Sequence, residues 1–210
     1  NNIHLIRYLL STNKPLIVST GMLNKDELDQ LIKEIPKEKL TLLHCVSLYP
    51  TPAEKANLAT ITYLKSMYDI PVGYSDHTKG ISACLYAVAL GASLIEKHFT
   101  LDSTQTFGDH QLSAEPEEMK TLVEKIQECT LMIGIPEKSV TEDERKMATA
   151  MRRGLAAARD LSRGEVLKSG DLLPLRPESD IPVNRLDAII GKRLLVDKAQ
   201  FEFLKPEELE

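Results

Sequence analysis

Short apolar runs recur along the first two thirds of the chain, and each is followed by a stretch with helical spacing. Asn2 to Ser11 reads as an opening helix. The run KPLIVSTGM, Lys14 to Met22, is β-branched, is entered through Pro15 and predicts a strand. Asn24 to Ile35 then sets Leu28, Leu31, Ile32 and Ile35 on one helical face, with Asn24 as N-cap and Glu27 completing a capping box. KLTLLHCVSLYP predicts a second strand, stopped by Pro50, and TPAEKANLATITYLKSMY a helix with Pro52 in its first turn. IPVGYSDH and SLIEKHFT predict two more strands, separated by the helical KGISACLYAVALGA. SAEPEEMKTLVEKIQECTLMIG closes the series as a long amphipathic helix ending at Gly134. Strands alternating with crossover helices imply parallel β/α units, and apolar strands without alternation fit a sheet covered on both faces.

The texture changes after Gly134. Residues 135–150, IPEKSVTEDERKMATA, are charged with little apolar periodicity and predict a linker, with room for a short helix. From 151 to 210 the apolar runs are short and split by turns such as SRGE and KSGD, and the residues before prolines are pushed toward extended backbone. This predicts a small domain of short strands, near the lower size at which domains fold alone. The expected organisation is therefore 1–134, a linker at 135–150, and 151–210.

Composition narrows the partners. The 210 residues carry a net charge of -5 and 42% hydrophobic residues, enough for packed cores. Mild acidity without a Lys/Arg-rich run argues against nucleic acid as partner. No apolar stretch approaches the ~20 residues of a membrane helix. Cys45, Cys84 and Cys129 are widely spaced and odd in number, which fits neither a disulfide framework nor a zinc site. A reducing cytoplasm is the expected setting. The chain lacks an initiator Met and opens inside a helix-like segment, which reads as the interior of a longer protein.

Parallel β/α folds carry their chemistry at the carboxyl ends of the strands. The predicted strands end in Ser19-Thr20-Gly21, in His44 through Ser47 and Tyr49, in Ser75-Asp76-His77, and in Glu96, His98 and Thr100, with Asp109 and His110 in the loop beyond. His77 and His98 occupy equivalent points of adjacent units. Neighbouring strand ends lie about 5 Å apart, so two imidazoles there can share a divalent cation, although a lone histidine is more often structural. Ser19, Thr20 and Gly21 offer hydroxyls and loop amides to an anion, or simply cap the next helix. His4 and His44 read as structural.

The motifs STGM, LLHCVSLYPTP, GYSDHT, IEKHFT, GDHQLSAEPEE and GKRLLVD resemble, in order and spacing, those of the NeuB-type sialic acid synthases, along essentially the whole chain. The resemblance implies the last four strands of a TIM barrel followed by a small, mostly β SAF (antifreeze-like) domain. It implies a transferase that condenses phosphoenolpyruvate with an N-acetylated hexosamine, using a divalent ion, Mn2+ before Mg2+ or Co2+. It places the metal ligands on His77 and His98, phosphoenolpyruvate contacts on Ser19 and Ser75, and sugar contacts on Ser47 and Tyr49. Asp109 matches an acid that orients water or a sugar hydroxyl, and Arg176 an arginine that reaches the partner subunit's site in a domain-exchanged homodimer. Many relatives have Asn where Ser47 stands. The half barrel alone is expected to be inactive. The rival readings are another metal-dependent aldolase, a different phosphoenolpyruvate-condensing synthase, or a non-catalytic carbohydrate-binding module.

Overall fold

The structure is a computed structural model and describes residues 2–210. The chain divides into two compact units, Asn1–Ile135 and Pro136–Glu210.

The first unit opens with helix α1 (Ile3–Ser11) and continues as strand β1 (Leu16–Ser19), α2 (Lys25–Glu34), β2 (Leu40–Cys45), α3 (Ala59–Tyr68), β3 (Val72–Asp76), α4 (Ser82–Ala89), β4 (Ile95–Lys97) and α5 (Pro116–Ile133). All neighbouring strands pair in parallel, in the order β1-β2-β3-β4. Helices return each strand to the same starting side, so all four strands point their carboxyl ends the same way.

One face of the sheet packs on the helices. Leu16, Leu40, Leu42, Val72 and Tyr74 alternate toward it and join Leu28, Leu31, Ile61, Leu64 and Ala87 in one buried core. On the other face lie the intervening residues, among them Ile17, Ser19, Leu43, Gly73 and Ser75. Ile17 and Ser19 are exposed there, whereas Leu43 is buried. Gly73 is required by close approach. A Cβ at that position would stand 2.5 Å from the Leu94 carbonyl oxygen and 2.6 Å from Leu43.

Local signals set most boundaries. Asn24 accepts from the Glu27 amide at 3.0 Å and Glu27 accepts from the Asn24 amide at 2.9 Å, the capping box expected at α2. Pro116 stands in the first turn of α5. The helix expected to begin near Pro52 is shorter. Pro52 leads into a separate 3-10 turn, Ala53–Lys55, and Asn57 takes a left-handed φ of 44°, so α3 starts only at Ala59.

The second unit opens with α6 (Glu142–Met151), followed by β5 (Gly154–Ala157), β6 (Leu172–Leu175) and α7 (Leu186–Ile189). The stretch expected as a linker thus holds a helix of 10 residues. No residue of α6 is buried, which is why apolar periodicity did not signal it. Instead Thr141 and Glu144 form a capping box, and Lys146 pairs with Glu142 at 3.1 Å. β5 and β6 form an antiparallel pair, extended by single bridges such as Ala156 to Phe203 and Leu194 to Leu209. Leu155, Leu161, Leu167, Leu194 and Leu204 fill its core. Two buried charges are pinned by partners at the rim of that core. Lys198 contacts Glu202 at 3.0 Å and Glu208 at 2.8 Å, and Asp171 contacts Arg159 at 2.9 Å.

Candidate functional site

His77 follows β3 directly, and the loop after β2 receives it. The Thr51 amide donates to the His77 carbonyl at 2.8 Å, while the Thr51 hydroxyl ties the loop internally by donating to Leu48 O at 2.8 Å. The imidazole Nδ1 lies 2.8 Å from Val46 O. A carbonyl oxygen only accepts, so Nδ1 carries a proton, and the neutral tautomer this selects has its lone pair on Nε2. The Tyr49 ring lies over the imidazole, with centroids 4.1 Å apart.

His98 leaves β4 under a different restraint. Its carbonyl accepts from the Ala114 amide at 2.7 Å, and the Thr100 amide donates to Ala114 O at 3.0 Å, so the end of the long loop is laid back along the strand exit. That loop brings Asp109 to 3.7 Å from His98 Nδ1, too long for a hydrogen bond but within ion-pair range if the ring is protonated. His110, the neighbour of Asp109, has a structural role. Its Nδ1 shares a hydrogen bond of 2.7 Å with the Thr100 hydroxyl, and its ring packs edge-on against Phe107.

The two rings meet. His77 and His98 have centroids 5.2 Å apart at an interplanar angle of 77°, and Tyr49 stands 5.9 Å from His98. Two imidazoles, one with its free nitrogen fixed by a backbone acceptor, form a donor set suited to a first-row divalent cation. Among the described residues no three His, Cys, Asp or Glu converge as a ready ligand set. His77 and His98 are thus the two described side chains at these strand ends that could serve such a cation together.

The inner face of the sheet continues the site. Ser75 lies opposite Glu96 in the β3–β4 register and donates to it at 2.6 Å. Ser47 packs on Gly21, where an added Cβ would lie 2.3 Å from the serine oxygen and 3.3 Å from Cys45 Sγ. Burial pushes the Cys45 thiol pKa up, against the hydrogen bonds of Ser75 and Ser47. Ser19 ends β1 exposed on this face. Thr20 does not join it. Its hydroxyl is buried and donates to Leu43 O at 2.9 Å, which removes it from the phosphate-binding trio considered above. His44 is structural as expected. It bonds Ala56 O through Nε2 at 2.8 Å, and burial lowers its pKa.

Two pairings escaped the sequence reading, which placed Asp76 and Glu96 among the strand-end polar residues without partners and did not single out Lys97. Glu96 is the inner-face partner of Ser75. Asp76 and Lys97, on the helix side of the same two strands, form a buried ion pair of 2.9 Å. The available signal was strand parity, but using it requires knowing that residues 21 apart are paired.

In the second unit Arg176 follows β6, exposed, and its Nε donates to Met151 O at 2.8 Å. Met151 lines a cleft of about 660 Å³ together with Arg152, Arg153, Asn184 and Arg185. No helix among the described residues is long and apolar enough to cross a membrane.

The comparisons with known proteins agree on one family. The NeuB family model matches residues 1–138 and the SAF domain model residues 152–210. N,N'-diacetyllegionaminic acid synthase of Campylobacter jejuni is 38% identical over 196 residues, covering 91% of this chain and 59% of its own length. Human N-acetylneuraminate-9-phosphate synthase is 31% identical over 201 residues, covering 93% and 56%. A crystal structure of N-acetylneuraminic acid synthetase from Leptospira borgpetersenii, in complex with citrate, superposes with a TM-score of 0.65 at 38% identity, covering 70% of this chain and 52% of that one. The chain thus spans less than two thirds of the length of these relatives. With its parallel β/α sheet followed by a SAF domain, the chain belongs to the NeuB-type sialic acid synthase family.

Proposed function

We propose that this chain supplies part of the catalytic barrel and the SAF domain of a synthase that condenses phosphoenolpyruvate with an N-acetylated hexosamine, giving a nonulosonic acid and phosphate. The observation that supports it most is the convergence of His77, His98, Tyr49 and Asp109 at the carboxyl ends of adjacent strands. In this reading the four parallel strands are half of an eight-stranded barrel, and the segments present in the relatives but not matched here supply the remaining walls and catalytic groups.

The overall reaction joins C3 of phosphoenolpyruvate to the aldehyde carbon of the open-chain sugar. Water adds at C2, and the C–O bond to phosphate breaks. A divalent cation held by His77 and His98, Mn2+ in the leading assignment, would withdraw charge from the aldehyde oxygen. His77 presents Nε2 because Val46 holds Nδ1–H. Asp109, beside His98, is placed to take up a proton from water or from a sugar hydroxyl. The Tyr49 face walls the sugar side, with Ser47 deeper on the inner face. Ser19, exposed at the end of β1, is assigned to the phosphate group. Ser75 reaches a phosphate only by giving up its bond to Glu96. Arg176 is assigned to the sugar in a domain-exchanged dimer, where a guanidinium fork suits an amide carbonyl or paired hydroxyls. The sugar itself stays open, since relatives make products as different as diacetyllegionaminate and neuraminate 9-phosphate.

The test is phosphate release from phosphoenolpyruvate with N-acetylmannosamine and Mn2+, using the chain joined to the missing barrel segment of a relative. Turnover that needs both substrates and is lost in His77→Ala and His98→Ala supports the reading. Retention of full activity and Mn2+ binding by either variant overturns the ligand assignment. The 210-residue chain by itself is expected to release no phosphate. Carbon–carbon bond formation with pyruvate in place of phosphoenolpyruvate would favour an aldolase.

A further inference from the structure

Directly beneath the paired histidines lies a buried charge network. Asp76 and Lys97 are neighbours in the β3–β4 register, and their side chains are 0% and 1% exposed. Lys97 Nζ donates to Asp76 Oδ2 at 2.9 Å and also to Thr78 O. Asp76 in turn accepts from the Thr78 amide at 2.8 Å, the Tyr74 hydroxyl at 3.0 Å and the Cys84 thiol at 3.2 Å. Every oxygen of the carboxylate is therefore occupied, and the residues on both sides of His77 are tied to one lysine.

Stability does not explain the pair. Desolvating two charges costs several kcal/mol each, and a well-packed neutral pair of similar volume is often as stable or more so. What the network has that a neutral pair lacks is direction. Asp76 immediately precedes His77, and Lys97 immediately precedes His98. The ion pair fixes β3 against β4 at the last paired residues, and the two bonds to Thr78 set the turn on which His77 sits.

We propose that Asp76 and Lys97 are positioning residues that hold the His77 and His98 imidazoles at the separation and orientation needed to act together. The inference rests on the site reading above, and its test has a readout independent of metal. Supporting partners behind ligating histidines commonly account for 10–100-fold in metal affinity, and an effect of about that size is expected here.

The experiment uses the full chain with Asp76→Asn, Lys97→Met and the double variant. Each single change leaves a buried group unpaired and is expected to lower the melting temperature. The double variant is expected to recover most of that loss. Two further measurements separate positioning from support: Mn2+ affinity by calorimetry, and NMR contacts between the two imidazole rings in the metal-free chain. Positioning predicts that the double variant, though folded, binds Mn2+ at least about tenfold more weakly and loses the ring-to-ring contacts. If affinity and contacts return together with stability, the pair is merely structural and the proposal falls. If the unaltered chain binds no Mn2+, the metal reading fails, and the ring contacts alone then decide the positioning role.

Discussion

The two units bury charge in opposite places. In the first, Asp76 and Lys97 lie between strands of a sheet whose apolar core is already extensive, directly under the cluster of His77, His98 and Tyr49. In the second, Lys198 and Asp171 edge a small leucine core and tie down neighbouring turns. On the proposed reading, one network sits where chemistry needs alignment. The other sits where a small core needs fastening, as expected for a unit of this size. The same physical device thus has a different purpose in each unit, and perturbing each one should show it.

The largest effect is expected from Gly73→Val. The new side chain would drive into the Leu94 backbone oxygen and Leu43, and overpacking of this kind should destabilise the first unit by about 3 kcal/mol. Urea unfolding followed by a probe in each unit would show the loss confined to the first. Equal loss in both would mean that the units do not unfold independently.

Next in size is Lys198→Met, which leaves Glu208 without its partner and should cost the second unit about 2 kcal/mol. Burial alone would lower the Lys198 pKa, but the hydrogen bonds of Glu208 and Glu202 outweigh it and the net direction is upward. A raised pKa means that the folded state holds the proton more tightly. The contribution is therefore complete below the ordinary lysine value of about 10.4 and is lost as pH rises through the raised folded value. The stability gap between the parent chain and Lys198→Met should narrow over that alkaline range. A gap constant with pH would show that packing of the lysine stem, rather than the ion pair, is what counts.

The smallest effects come from two helix caps of like chemistry. Asn24→Ala should cost about 1 kcal/mol and weaken the first unit, because α2 buries Leu28 and Leu31. Thr141→Ala should melt α6 locally and leave the unfolding of both units unchanged, because α6 buries nothing. Helicity by circular dichroism alongside thermal melts distinguishes the two. A shift in either unit's melt on Thr141→Ala would reveal packing on α6.

Those two helices also show what was legible in the sequence. α2 was visible twice, in its apolar spacing and in its capping box. α6 was read only as room for a short helix within a linker, because a helix without a buried face carries no core-facing stripe to signal it. The parallel strands were legible as apolar runs, though β4 is cut to Ile95–Lys97 because its continuation, Phe99, pairs with Ala114 instead. At the site, single residues at strand ends were legible and pairs were not. His77, His98, Tyr49 and Asp109 stand out as residue types at a place where such folds put chemistry. The Ser75–Glu96 and Asp76–Lys97 pairs depend on register, which only the folded sheet supplies. Thr20 misled for the opposite reason. Its hydroxyl looks available in sequence, but the backbone of β2 takes it.

One property of α6 bears on reach. Its last turn is fastened to the second unit, through the bond from the Glu178 amide to Thr149 O at 3.0 Å and that from Arg176 to Met151 O. Its first turn is held only by the Thr141 cap and exposed ion pairs. As a helix its 10 residues measure about 15 Å; fully extended they would measure at most about 36 Å. α6 is therefore stored slack. High ionic strength screens the pairs that keep it wound, and each residue released lengthens the tether by about 2 Å. Unwinding of α6 would lengthen this segment while leaving the parallel sheet and the leucine core as they are.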